Sequence, residues 1–233
     1  MMKTFSFLVL FLFTAFMLAA QAPVRFYSGG KAGYKDPVSG QVLVEAKYDA
    51  GSEFHEGFAI VMAGKKRGFI NEKGEVAIAL QFDDVSLFQQ GLAKAGIGGK
   101  YGFINTKGLW VIQPVYDQAG DFTVDRARVK KDQQWGFINR SGALIIPLQY
   151  TNAGNFSDGL APVMKDGKWG YLDQNGNQRL PFQYDLANVF RNGQAVVWQN
   201  GKGFYINQNG EFLRELPKHE EEHGEYDRDR EDD

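Results

Sequence analysis

A short phrase returns through this chain at a fixed distance. It reads "YGFIN" at 101–105, "WGFIN" at 135–139 and "WGYLD" at 169–173, each copy 34 residues after the last. Weaker copies start at Arg67 and Gly203, and another, with one extra residue in its first turn, starts at Ala32. A period of this length constrains the fold more than composition does, because each copy is one small unit that must bury its apolar face against its neighbours. Other columns keep the same register. A turn glycine falls at Gly40, Gly74, Gly108, Gly142, Gly176 and Gly210, and a phenylalanine at Phe54, Phe88, Phe122, Phe156 and Phe190. The 28 glycines therefore mark register and do not form a flexible linker.

Paired-helix repeats share this period, but they need long stretches without glycine. Here "WGFIN" reads as a short apolar strand, "NRSG" as a tight turn, and "ALIIPLQY" as a second strand. "GLAPVMKDGK", 159–168, supplies a third strand and a turn into the next copy. Pro114, Pro147 and Pro181 place the second strand at a sheet edge or a bulge. Apolar residues on both faces of these strands predict sheets sandwiched between neighbours. The expected fold is all-β: six units of three antiparallel strands in a closed β-propeller-like ring. The chain starts with a third strand (24–28) and ends with a first and a second (204–216), so the two termini are expected to complete one blade together. An open β-solenoid is the alternative.

The stretch "WGFINRSGALIIPLQYTNAGNFSDGLAPVMKDGKWGYLDQNG" and its relatives resemble the WG-repeat family, over about 24–216. Ala32, Arg67 and Gly203 depart from the Trp position, and Phe204 from its Gly. The resemblance implies an all-β repeat protein of a kind common among bacterial exported proteins. It implies no established activity and no catalytic residue.

The ends lie outside this pattern. Lys3, the 14-residue apolar run Phe5 to Leu18, and the small residues Ala19, Ala20 and Ala22 form the pattern of a secretory signal peptide over 1–20, with cleavage expected after Ala20. The run is short for a retained membrane anchor, and no second apolar span follows, so no membrane span is expected after processing. Residues 217–233 hold nine acidic and three basic residues and read as a solvated tail. Its His219 and His223 could at most collect divalent cations weakly. The chain has no Cys, which removes disulfides, a lipidated cysteine and thiolate metal sites, and an exported chain of this kind is typical of a bacterium. No clustered basic stripe suggests nucleic acid.

Chemistry is sparse. His55 stands where another copy has Ser157, a turn position, without a motif-placed partner for general-base work. "GIGGKYG" has the wrong spacing for a phosphate loop, and "DQNGN" lacks the remaining ligands of a calcium loop. Tyr101, Trp135 and Trp169, with Gly102, Gly136 and Gly170, are read as structural repeat positions: the ring fills a gap between units and the glycine permits close backbone approach. Trp198 breaks the pattern, standing where other copies have Met62, Gly96, Lys130 and Met164, and is the candidate binding residue. No catalytic residue, metal or cofactor is expected. The functional expectation is an exported, non-enzymatic scaffold (periplasmic, outer-surface or secreted) that binds another protein or an envelope component. The alternatives are a glycan-binding module, which would gather off-pattern aromatics on one exposed face, and an enzyme with a site at the ring centre.

Overall fold

A computed structural model describes residues 21–217. The signal-peptide segment and residues 218–233 of the acidic tail lie outside the described residues. Six antiparallel sheets follow one another along the chain, each from a contiguous stretch. Sheet 1 has three strands, Val24–Ser28, Lys31–Lys35 and Val42–Tyr48. Sheets 2 to 6 have four. A two-residue linker strand comes first in each (Ala50–Gly51, Asp84–Val85, Gln118–Ala119, Asn152–Ala153, Leu186–Ala187). A leading strand follows (Phe58–Ala63, Leu92–Ile97, Ala127–Lys131, Leu160–Lys165, Gln194–Gln199). Next is the Trp-Gly strand (Lys66–Asn71, Lys100–Asn105, Gln134–Ile138, Lys168–Asp173, Lys202–Asn207). A long strand closes each sheet (Val76–Phe82, Trp110–Tyr116, Leu144–Tyr150, Gln178–Tyr184, Phe212–Glu215).

Six all-β units are thus present, but two expectations are corrected. Sheets 2 to 6 carry a fourth, two-residue strand that no apolar alternation announces. The termini also do not share a blade. Val24–Ser28 pairs with Lys31–Lys35 directly, and Phe212–Glu215 pairs with Lys202–Asn207. The reason is local. Leading and Trp-Gly strands are joined by two-residue turns with both positions in the left-handed region, such as Gly98 (φ 59) and Gly99 (φ 75), or Asp132 (φ 49) and Gln133 (φ 64). That geometry matches the twist of a hairpin. A hairpin that closes over two residues wins over a pairing across the whole chain.

Five apolar clusters hold the sheets together, each built from two sheets adjacent in sequence. At their centre is a ring pair. The aromatic after the Trp-Gly glycine meets the phenylalanine that follows the next sheet's linker strand: Tyr34–Phe54 (centroids 5.3 Å), Phe69–Phe88 (4.7 Å), Phe103–Phe122 (4.6 Å), Phe137–Phe156 (4.9 Å) and Tyr171–Phe190 (4.9 Å). Where this aromatic is tyrosine, its hydroxyl crosses to the next sheet: Tyr34 Oη donates to the Ser52 carbonyl at 2.9 Å and Tyr171 Oη to that of Asn188 at 2.7 Å. Burial pushes Tyr34 up to about 12 and raises Tyr171 further, so both stay protonated donors.

The described residues form no sixth cluster between sheets 6 and 1. Val24 is exposed where its counterparts Ala59, Ala93, Ala127, Ala161 and Ala195 are buried, and Lys35 replaces the buried Ile70 and Ile104. On sheet 6, Arg214 is exposed where Ile146 and Leu180 are buried, and its guanidinium lies 3.5 Å from the Tyr205 ring centroid. Sheets 6 and 1 therefore each present a polar face where the inner sheets present apolar ones.

A second, ionic connection recurs at the surface. The Lys that opens a Trp-Gly strand pairs with an Asp just after the following long strand: Lys31–Asp49, Lys66–Asp83, Lys100–Asp117 and Lys168–Asp185. The same carboxylate accepts an N–H from the next sheet's tight turn, at Gly64, Gly98, Asp132 and Asn200. Each clip so joins two sheets. Between sheets 4 and 5 the two positions are Gln134 and Thr151, and Thr151 Oγ1 bonds the Met164 carbonyl instead. The Lys hydrogen bond, then the turn N–H, holds each clip Asp below its ordinary 3.8. A depressed folded pKa means the contribution is present above 3.8 and is lost as pH falls through the lower folded values. Thermal melts between pH 5 and pH 2 should show the wild type losing stability more steeply than an Asp49→Asn/Asp83→Asn/Asp117→Asn/Asp185→Asn variant. Equal slopes would show the clips to be neutral.

Candidate interaction surface

The Trp column comes first because the sequence singles it out. Trp135 and Trp169 are 7 and 9 % exposed and belong to the clusters between sheets 4 and 5 and between sheets 5 and 6. Arg128 and Lys130 lie 5.0 and 5.6 Å from the Trp135 ring centroid. Each column residue faces one partner on the leading strand: Tyr27↔Ala32, Met62↔Arg67, Gly96↔Tyr101, Lys130↔Trp135, Met164↔Trp169 and Trp198↔Gly203. A ring on one strand goes with a small or unbranched residue on the other. At Gly96 a Cβ would stand 2.8 Å from the Tyr101 ring, and at Gly203 one would stand 2.9 Å from Trp198 Nε1. Trp198 is therefore the ring that sheet 6 lacks at Gly203, supplied from the neighbouring strand. Its off-pattern position has a packing cause, and it is half-buried. The signal that would have found this is the pair of positions 198 and 203 read together.

The remaining chemical candidates resolve into turns. His55 Nδ1 lies 2.8 Å from the Phe88 carbonyl oxygen, and at the same register position Ser157 Oγ donates to Phe190 O at 2.5 Å. Both tie a loop to the next sheet. Gly98 and Gly99 form a tight hairpin turn, and the Asp173 carboxylate accepts the N–H groups of Asn175 and Asn177 to hold "DQNG". Among the described residues no three His, Asp or Glu side chains gather where a metal could be held, and no helix is long and apolar enough to cross a membrane.

What the core does not account for is an apolar row where the long strands begin. Unlike the Trp-Gly strands, which are buried on both faces at their centres, the long strands alternate between buried and exposed positions. The position opposite the buried Ile70, Ile104, Ile138 and Ile206 holds Val76, Trp110, Leu144 and Phe212, and in sheet 1 Val42 opposite Lys35. Val76, Leu144 and Phe212 are 52, 47 and 60 % exposed, and Leu109 beside them is 60 % exposed. Leu43, Val111 and Leu213 on the next position are exposed as well. Trp110 is half-buried, edge-on to Phe82 of the preceding sheet at 5.7 Å. Sheet 5 interrupts the row with Gln178 and Arg179. The members are carried side by side: a Cβ at Gly74 would stand 3.2 Å from the Leu43 carbonyl oxygen, one at Gly108 2.9 Å from Ile78 Cγ2, and one at Gly142 3.1 Å from Ile112 Cγ1. Single exposed valines are ordinary on a sheet; a registered row across four consecutive sheets, rimmed by the polar turn residues Glu72, Lys73, Glu75 and Lys107, is a patch.

The arrangement is like that of known proteins in fold. A crystal structure of a eukaryotic initiation factor is similar at a TM-score of 0.53 and 12% identity, covering 82% of this chain and 62% of that one. Hsv2p of Kluyveromyces lactis is similar at a TM-score of 0.47 and 14% identity, covering 80% of this chain and 76% of that one. The dihydro-heme d1 dehydrogenase NirN is similar at 0.46 and 11% identity, covering 84% and 53%. The initiation-factor structure is a β-propeller. The chain spans about three fifths of the initiation factor it matches, and the likeness is one of fold alone. No curated protein matches the sequence. The WG containing repeat matches residues 33–66, 68–101, 101–135, 135–169 and 169–202 in turn, and with that the chain belongs to the WG-repeat family.

Proposed function

We propose that this protein is an exported, non-enzymatic scaffold that binds another protein along the apolar row of its long strands. The observation that carries the reading is Val42, Val76, Leu144 and Phe212, one register position left exposed and apolar in sheet after sheet. Repeat arrays offer broad surfaces, and an apolar strip with a polar rim is the composition of a protein-binding patch. A glycan would be recognised by stacked rings. Trp110 leans on Phe82 at the start of a long strand, while the off-pattern Trp198 covers Gly203 beside a tight turn, so these two rings do not form one platform.

The test compares immobilised mature protein with a Val76→Ser/Leu109→Ser/Leu144→Ser variant against envelope proteins of the source cell. Each truncated apolar contact at the centre of an interface is expected to cost on the order of 1 kcal/mol, so affinity should drop by roughly 100-fold or more in the triple variant. The melting temperature should stay near that of the wild type, because these side chains are outside the clusters. Unchanged capture by the variant would remove the row from the interface. N-terminal sequencing of exported material, expected to start at Gln21, tests the export step.

A further inference from the structure

We propose that the acidic run Glu220–Glu222 docks in cis on the exposed last strand of sheet 6, with Lys202 and Arg214 as its cationic partners. The surface clip supplies the first reason. Every Lys of the column that has a sheet after it has its carboxylate: Lys31, Lys66, Lys100 and Lys168 pair with Asp49, Asp83, Asp117 and Asp185. Where the acid is missing, at Thr151, the column holds Gln134, not Lys. Lys202 keeps the Lys, yet among the described residues it has no carboxylate partner. The first carboxylates after the last strand are those of Glu220, Glu221 and Glu222, beginning one residue beyond the 17 that separates Lys and Asp in the clips of sheets 2, 3 and 5.

Chain geometry is the second reason. The last strand keeps only one of the two register shifts that bulge the long strands of sheets 1 to 5: Phe204 pairs with Glu215 and Tyr205 with Arg214. The Leu216 N–H donates to the Gly203 carbonyl at 2.9 Å. The chain therefore leaves the sheet beside Lys202, and Glu220, four residues later, has a reach of at most about 14 Å. Charge is the third. The polar face of sheet 6 carries Arg214 on Tyr205 where inner sheets carry apolar residues. A second copy stacked head to tail would bring Lys35 of its first sheet towards Arg214, a like-charge approach, whereas the acidic run complements both cations.

The chain has no Cys, so a nitroxide on a single Gly224→Cys reports the tail without background labelling. In the full processed chain, amide signals of Lys202–Tyr205 and Phe212–Glu215 should be broadened and lost ahead of those of the other five sheets. They should return in the Glu220→Gln/Glu221→Gln/Glu222→Gln variant, in Lys202→Gln, and at about 1 M salt, where the screening length is ~3 Å. Broadening spread evenly over the six sheets, centred on sheet 1, or falling with dilution as contact between copies would overturn the proposal.

Discussion

Gly136→Ala should destabilise the protein by about 3 kcal/mol or more. The added Cβ would stand 2.5 Å from the Ile146 carbonyl oxygen and 2.9 Å from both the Leu148 nitrogen and the Pro147 carbonyl carbon. All three are backbone atoms of the neighbouring long strand, so no side chain can rotate away. The strand is held there by its bulge: between the pairs Trp135↔Tyr150 and Phe137↔Ile146 it carries three residues opposite this one glycine. Gly68 and Gly170 face the same backbone in sheets 2 and 5. Gly159→Ala is the control. Its site is open, and its φ of +83° charges only the ordinary left-handed cost of about 1 to 2 kcal/mol. Urea titrations of both variants decide the matter; if the two lose equal stability, close approach is not what the glycine of the phrase provides.

The second large effect belongs to Trp198. Trp198→Ala removes a half-buried indole from above Gly203 and should cost about 2 kcal/mol, below the 3–5 expected for a fully buried ring. If the ring has simply changed strands, Trp198→Met with Gly203→Trp rebuilds the arrangement of Met164 and Trp169 and should recover most of the loss. A double variant no more stable than Trp198→Ala alone would break the exchange account, and would return Trp198 to consideration as a residue kept for a ligand.

Much of this architecture is written in the sequence because its physics is local. The 34-residue register, the turn glycines and the glycine after Trp135 or Trp169 all report backbone requirements that one residue must meet alone. Phasing was harder. The phrase catches the eye at its Trp, yet the sheet starts one strand earlier, since "KDGK" closes a hairpin that a reading from Trp to Trp cuts in two. The linker strands are two residues long and leave no trace of apolar alternation. Trp198 with Gly203, and Lys66 with Asp83, are properties of pairs that columns read singly do not show. Val76, Trp110 and Leu144 share one repeat position, but its exposure is not written there: strands apolar on both faces predict full cover, and only packing reveals that the beginnings of the long strands project past the interfaces.

Sheet junctions also differ from one another at a pair of register positions. Between sheets 1 and 2, Arg25 pairs with Glu53 at 3.1 Å and also bonds the Gly51 carbonyl. Between sheets 4 and 5 the same positions hold Arg128 and Asn155, and a Cβ at Gly120 would touch both. Between sheets 5 and 6 they hold Pro162 and Val189, which both crowd Gly154. An array of near-identical units faces a hazard that a one-core protein does not: any sheet could dock on the wrong successor, within the chain or across two chains during synthesis. Seating Pro162 against Glu53 would forfeit the Arg25–Glu53 pair, and seating Arg25 on Val189 would set the largely covered guanidinium against an apolar side chain. The repeats are alike where the backbone must be alike, and they carry, in one pair of side chains per junction, the address of the sheet that comes next.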